Sequence, residues 1–148
     1  MAGILGVVTY AEQALAAATT KTVLQVVAPA NHRVKVLGWG VFFDGVNTAG
    51  EPVQVRVLRQ STAGTMSSVT PLQVQPVAET ILTTAQYGAS AEPTAGDIID
   101  VIECHPQQGY EVKFPMGQEI IIPGGGRLGI DCTAPAIVNV RVKLFFEE

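Results

Sequence analysis

The chain has 148 residues, with nine Lys plus Arg against 13 Asp plus Glu and a formal net charge of −4. That length suits one ordinary domain, and the acidic balance argues against a nucleic-acid binder, whose surface must replace condensed counterions with basic side chains. Hydrophobic residues make up 47%, which excludes disorder of the whole chain, while charged residues reach only 15%. A typical soluble domain carries about 25% charge, so part of this surface is expected to be covered by other subunits.

Residues 1–21 read as a segment apart. Thr9 and Glu12 have capping-box spacing ahead of 11–18, which allows a short helix there. Ile4, Leu5, Val7, Val8 and Tyr10 equally allow an extended arm that docks on a partner, or a terminal strand folded onto its own domain. The opening residues lack a positive n-region and Ala2 replaces the glycine that myristoylation needs, so neither a secretory leader nor a lipid anchor is expected. Apolar runs such as Ile120-Ile121-Ile122 fall far short of the roughly 20 residues of a membrane-spanning helix.

Beyond residue 21 the sequence turns β-rich, with Val, Ile and Thr dominant. Strands are predicted over 22–27, 32–43 and 53–60. In the second, Gly38 and Gly40 flank Trp39, the pattern of a bulge or a close backbone approach, and Asp44-Gly45 ends it. Residues 61–96 are rich in Ser, Thr, Ala, Gly, Gln and Pro. They read as one long connection, holding at most a short strand near 72–77 and a brief helical turn over 78–85. Strands resume over 97–104, 110–114, 119–122, 127–132 and 137–146. In the last, Val138, Val140, Val142 and Leu144 alternate with Asn139, Arg141 and Lys143, the cleanest half-buried pattern in the chain. About eight strands at this spacing predict an all-β antiparallel sandwich forming one domain over 22–148. Trp39 precedes both cysteines, against the immunoglobulin order, and a jelly roll suits the strand count and the long mid-chain connection better.

Residues that could carry chemistry are sparse. His32 and His105 stand at no recognised metal-ligand spacing, and Cys104 and His105, as strand neighbours, point to opposite faces. Cys104 and Cys132 read as buried thiols of a reducing compartment. Asp97 and Glu103 are expected on one face of a strand and Asp100 on the other, a solvated edge more than an acid/base pair. Gly124-Gly125-Gly126 lies between strands and precedes Arg127-Leu128, so it reads as a hairpin turn and not a phosphate cradle. Arg33, Lys35, Arg56, Arg59, Lys113, Arg141 and Lys143 all fall in predicted strands. Their expected role is a solvent face that resists edge-to-edge pairing, with contact to acidic turns of a neighbouring copy as the alternative. No catalytic, metal or cofactor signature emerges, and the chain is expected to be no enzyme.

Three stretches carry a resemblance: Val34-Lys-Val-Leu-Gly-Trp-Gly-Val-Phe-Phe-Asp-Gly45, Val57-Leu-Arg-Gln-Ser-Thr-Ala-Gly-Thr-Met-Ser-Ser-Val-Thr-Pro71, and Ile120-Ile-Ile-Pro-Gly-Gly-Gly-Arg-Leu-Gly-Ile130 leading to Phe145-Phe-Glu-Glu148. With Glu92-Pro-Thr-Ala-Gly96, their order from residue 22 onward resembles small virion proteins of tailed bacteriophages, most of all trimeric jelly-roll head decoration (cement) proteins. The resemblance implies a non-enzymatic homotrimer that binds the major capsid protein on the outside of the head. It implies assembly in the host cytoplasm and no cofactor, nucleic acid or membrane partner. Ile4, Leu5, Val7, Val8 and Tyr10 would then form the capsid-docking arm. The alternatives are a lectin-like jelly roll, weakened by 6% aromatic residues with one Trp, and a tail or neck module of the same kind of particle.

Overall fold

The computed structural model describes residues 3–45 and 50–148. The strands are β1 Leu5–Leu15, β2 Thr20–Val27, β3 Val34–Phe43, β4 Val53–Gln60, β5 Thr65–Val69, β6 Leu72–Gln73, β7 Thr84–Ala91, β8 Ala95–Cys104, β9 Gly109–Lys113, β10 Ile120–Ile122, β11 Arg127–Thr133 and β12 Val138–Glu147. Among the described residues there is no helix.

The strands form two antiparallel sheets packed face to face as a β-sandwich. One has the order β10-β3-β12-β1-β6, with β9 also on β3; the other runs β5-β7-β2-β11-β4-β8. β9 pairs with β3 over Gly38–Phe42 and β10 over Val34–Val36, so the two are pieces of one interrupted edge. Alternation accounts for the core. Val138, Val140, Val142, Leu144 and Phe146 of β12 are buried, and they meet Val53, Val55 and Val57 of β4 with Leu128, Ile130 and Cys132 of β11. Fully burying each such Val, Leu or Ile is worth roughly 1.5–3 kcal/mol.

The expected bulge and close approach are both found at Gly38 and neither at Gly40, which faces only the side chains of Phe42 and Lys143. The pairing of β12 with β3 shifts between Phe145 and Phe146, which leaves Leu37 as an extra residue on β3. A Cβ on Gly38 would strike the Val112 carbonyl of β9. Trp39 between them points inward and is 1% exposed.

Three expectations are corrected. Residues 3–21 form neither an arm nor a helix but the remaining alternative, a terminal strand folded onto its own domain: β1 lies between β12 and β6, and β2 begins at Thr20, so the boundary at residue 21 disappears into one sandwich. The connection over 61–96 contains β5, β6 and β7, and the helical turn expected over 78–85 is loop followed by the start of β7. Several of its Thr and Ser residues sit on the edge strand β5 or at the exposed ends of β7, where no hydrophobic period is required. Finally, Gly124–Gly126 does not close a hairpin, because β10 and β11 belong to different sheets. The tripeptide is a corner between sheets, held by Gly126 N–H to Pro123 O at 2.8 Å and Gly125 N–H to Pro29 O at 3.0 Å, with Gly125 at φ +73°.

Candidate interaction surface

The residues singled out for chemistry are dispersed. His32 and His105 are exposed, and His105 Nδ1 accepts the Gln107 N–H at 3.1 Å, the role of a turn cap. No three His, Cys, Asp or Glu side chains stand together as a metal site among the described residues. Cys104 and Cys132 are free and buried, on strands separated by β4. Burial raises both thiols above their ordinary range, and for Cys132 the Asp131 carboxylate adds to the effect, so both are held as unreactive thiols. Asp97 and Glu103 are exposed on β8 and Asp100 is half-buried. The β4–β8 register shifts between Val57 and Leu58, which pair with Asp100 and Ile98, so Ile99 is an extra residue that interrupts the simple alternation assumed for these acids.

The five residues expected to dock on a partner are tied into their own domain. Ile4 and Glu148 exchange backbone hydrogen bonds at 2.9 and 3.0 Å. Leu5, Val7, Val8 and Tyr10 pair with Glu147, Phe145, Leu144 and Val142 of β12. Val8 is fully buried, and the Tyr10 ring stacks on Tyr87 of β7 with centroids 3.5 Å apart. β12 pairs along most of one edge of β1, and β6 takes the other edge at Gly6 and Val7, so these residues are ordered within their own domain.

The basic residues are largely satisfied within the chain. Arg56 grips Asp131 through Nε at 2.9 Å and Nη2 at 2.6 Å, and Asp131 raises the Arg56 pKa above its ordinary value. Lys143 pairs with Glu111 at 2.8 Å and lies over the rings of Phe42 and Phe145; Lys113 lies over Phe145 as well. Arg59 donates to the Ile121 carbonyl at 2.6 Å. Lys35 pairs with Glu147 at 3.2 Å, and Glu147 is held below the usual carboxylate range first by the Gly3 N–H and then by Lys35.

Among the described residues, seven of the nine exposed large apolar side chains stand on two edges, Met116 and Ile137 being the others. On β8, Ile98, Ile99 and Val101 are 40–53% exposed. Their strand has β4 on one side and no strand on the other. The second region is a lobe over 70–82 that exposes Leu72, Val74, Val77 and Leu82. Polar groups fix its backbone: Val74 N–H donates to Leu5 O at 2.8 Å, and Val77 N–H donates to Gln73 Oε1 at 2.9 Å. The Glu148 carboxylate accepts the N–H groups of Leu82 and Thr83 at 2.9 and 2.7 Å and the Thr83 hydroxyl at 2.5 Å. An open groove of about 550 Å³ runs along the lobe, bounded by Pro71, Pro76 and Ile81. The length of the 61–96 connection already suggested a functional segment or one packed on a neighbour, whereas the β8 edge was passed over although the run Ile98-Ile99-Asp100-Val101-Ile102 was a visible signal.

A second cleft, about 340 Å³, is lined by Glu12, Phe42, Asp44, Asn139 and Arg141. The Asn139 amide closes part of it by donating to Glu12 at 3.2 Å and Asp44 at 2.7 Å.

No protein-family model, curated protein or solved structure matches the chain.

Proposed function

We propose that the chain is a non-enzymatic structural protein of a virion, a homotrimeric decoration protein that binds the major capsid protein on the outside of a bacteriophage head. The observation that carries this reading is the placement of large apolar side chains: Ile98, Ile99 and Val101 on one rim and Leu72, Val74, Val77 and Leu82 on the other, outside a closed core. Ordered apolar surface of this kind marks contact with other macromolecules. The low charge content supports the same reading, as does the sequence resemblance of 34–45, 57–71 and 120–130.

The strand order adds a further support. With β5, β6 and β7 set aside and β9–β10 counted as one strand, the orders become β9/10-β3-β12-β1 and β2-β11-β4-β8. We take this for the double Greek key of a jelly roll, with β5 to β7 inserted between its fourth and fifth strands. A trimer suits threefold positions of an icosahedral shell, and decoration needs buried area and shape with no reactive group. The lectin-like alternative loses its one tryptophan as a stacking platform, since Trp39 lies in the core.

The test is co-sedimentation with heads assembled without the protein. The expected result is saturable pelleting with the heads and density on the outer capsid surface by cryo-electron microscopy. Absence of pelleting at micromolar concentrations overturns the reading, and density at the tail or neck moves the protein to that part of the particle.

A further inference from the structure

We infer that copies of this chain associate head to tail, the β8 edge of one copy seated on the 70–82 lobe of the next. This rests on the reading of the chain as a contact protein, but it concerns only how the copies meet one another.

The two apolar regions lie on opposite rims of one sandwich. β8 ends the second sheet beyond β4, while the lobe leaves the first sheet at β6, beside β1, and enters the second at β7. β7 and β8 are four strand spacings apart, roughly 19 Å at about 4.8 Å each. Two patches on opposite rims cannot meet each other reciprocally across one twofold axis. Covering both with a single type of contact therefore takes a heterologous arrangement, which closes into a ring or grows as a filament.

Charge argues against β8 pairing with itself. A β8–β8 contact would bring Asp97, Asp100 and Glu103 of each copy against the same acids of the other, with no Lys or Arg on the strand to offset them. Within 70–82 the one charged residue is Glu79, and the Glu148 carboxylate beside Leu82 is already held by three donors of the lobe, so the lobe meets β8 at a smaller penalty than a second β8 would. A lobe–lobe contact would leave the β8 residues in water.

The available area fits the same occupant. The three β8 and four lobe side chains together expose roughly 600 Å². A standard interface of about 1,600 Å², some 57% of it apolar, contains about 900 Å² of apolar surface. One head-to-tail contact therefore draws about two thirds of its apolar area from residues already exposed and ordered, and strand backbone with lobe prolines can supply the rest. Gln73 and Glu148 hold the lobe backbone in place before any partner arrives, which lowers the ordering cost of association.

Two variants of the full chain test this. The first carries Ile98→Thr, Ile99→Thr and Val101→Thr; the second carries Leu72→Gln, Val77→Thr and Leu82→Gln. Every position is exposed, and circular dichroism with thermal melting verifies that each variant folds. Sedimentation velocity of the wild type is expected to show an assembly, and each variant alone a monomer, its dissociation constant raised at least about tenfold. An equimolar mixture retains one intact pair of surfaces and is expected to form a dimer of about 31 kDa, twice the 15.6 kDa chain, that grows no further. A monomeric wild type, either variant still associating as the wild type does, or a mixture that stays monomeric overturns the inference. The capsid assay is read separately: a monomer that still decorates heads defeats only the head-to-tail contact, and an assembly that ignores heads defeats only the decoration reading.

Discussion

Arg56→Met isolates the polar feature that the sandwich depends on most. Asp131 lies in the middle of β11, directly across from Arg56 of β4, and its side chain is 5% exposed against 26% for Arg56. Two charge-assisted hydrogen bonds, at 2.9 and 2.6 Å, satisfy the carboxylate. Methionine keeps the aliphatic reach of the arginine and removes the charge, so the variant leaves a buried carboxylate with its strongest donors gone. Breaking a buried pair from one side costs about 3–5 kcal/mol, and the lower end applies because the Arg56 side of the pair reaches water. At about 2–4 °C per kcal/mol for a chain of this size, the melting temperature should fall by roughly 6–12 °C at pH 7. Adding Asp131→Leu removes the stranded charge and should recover most of the loss. Scanning calorimetry at pH 7 and one fixed protein concentration compares the wild type with both variants. A double variant no more stable than Arg56→Met would refute the argument.

Four further outcomes are expected. Gly6→Ala should lower stability by roughly 1–3 kcal/mol in urea titration, since its Cβ falls within the buried Phe146 ring; Phe146→Leu in that background should restore part of the loss. Cys104 and Cys132 should react with iodoacetamide on the order of a thousandfold more slowly in the native chain than in urea, because both are buried thiols that must wait for opening. Glu147 contributes stability that is present above the unfolded carboxylate pKa near 4.3 and lost as pH falls through its depressed folded value. Glu147→Gln should therefore flatten the acid limb of the stability curve. Glu148→Ala should speed amide exchange at Leu82 and Thr83 roughly tenfold by hydrogen-exchange NMR, with little change in global stability, because the carboxylate bonds only the lobe.

The parts of the fold that were legible are those where one uninterrupted alternation faces one core. β12 is such a strand along its length, and β4 is one from Val53 to Val57. β1 was not legible because its pairing with β12 shifts between Tyr10 and Gln13. Before the shift the buried residues are Gly6 and Val8; after it they are Gln13 and Leu15. A phase change within eleven residues erases a period of two, and Thr9 with Glu12 then imitates a helix cap. β5 and β7 were hidden for another reason: β5 is the edge of the second sheet and β7 lies next to it, and a margin open to solvent can be built from Thr, Ser, Ala and Gln. The candidate surface suffered most. Being an edge is a property of the pairing scheme, which depends on residues far away in sequence, so Ile98 and Val101 look like core until β8 is known to have no neighbour beyond it.

β8 also carries devices that proteins use against indiscriminate strand addition. Ile99 forms a bulge, Asp100 sits opposite the inward-facing Val57, and Asp97 and Glu103 flank the apolar residues. These suppress open-ended pairing of the β8 backbone with another flat edge, yet they leave the side chains of Ile98, Ile99 and Val101 in water. The combination makes sense if the strand meets its partner through side chains seated on a shaped surface and not through a continued ladder. The lobe has that character. Its backbone donors at Val74, Val77, Leu82 and Thr83 are already taken by Leu5, Gln73 and Glu148, so it has little to offer an incoming strand except apolar side chains and a groove. A surface that rejects backbone pairing on one rim and presents satisfied backbone on the other selects for one mode of contact, which is the discrimination that a protein made in many copies beside its own kind requires.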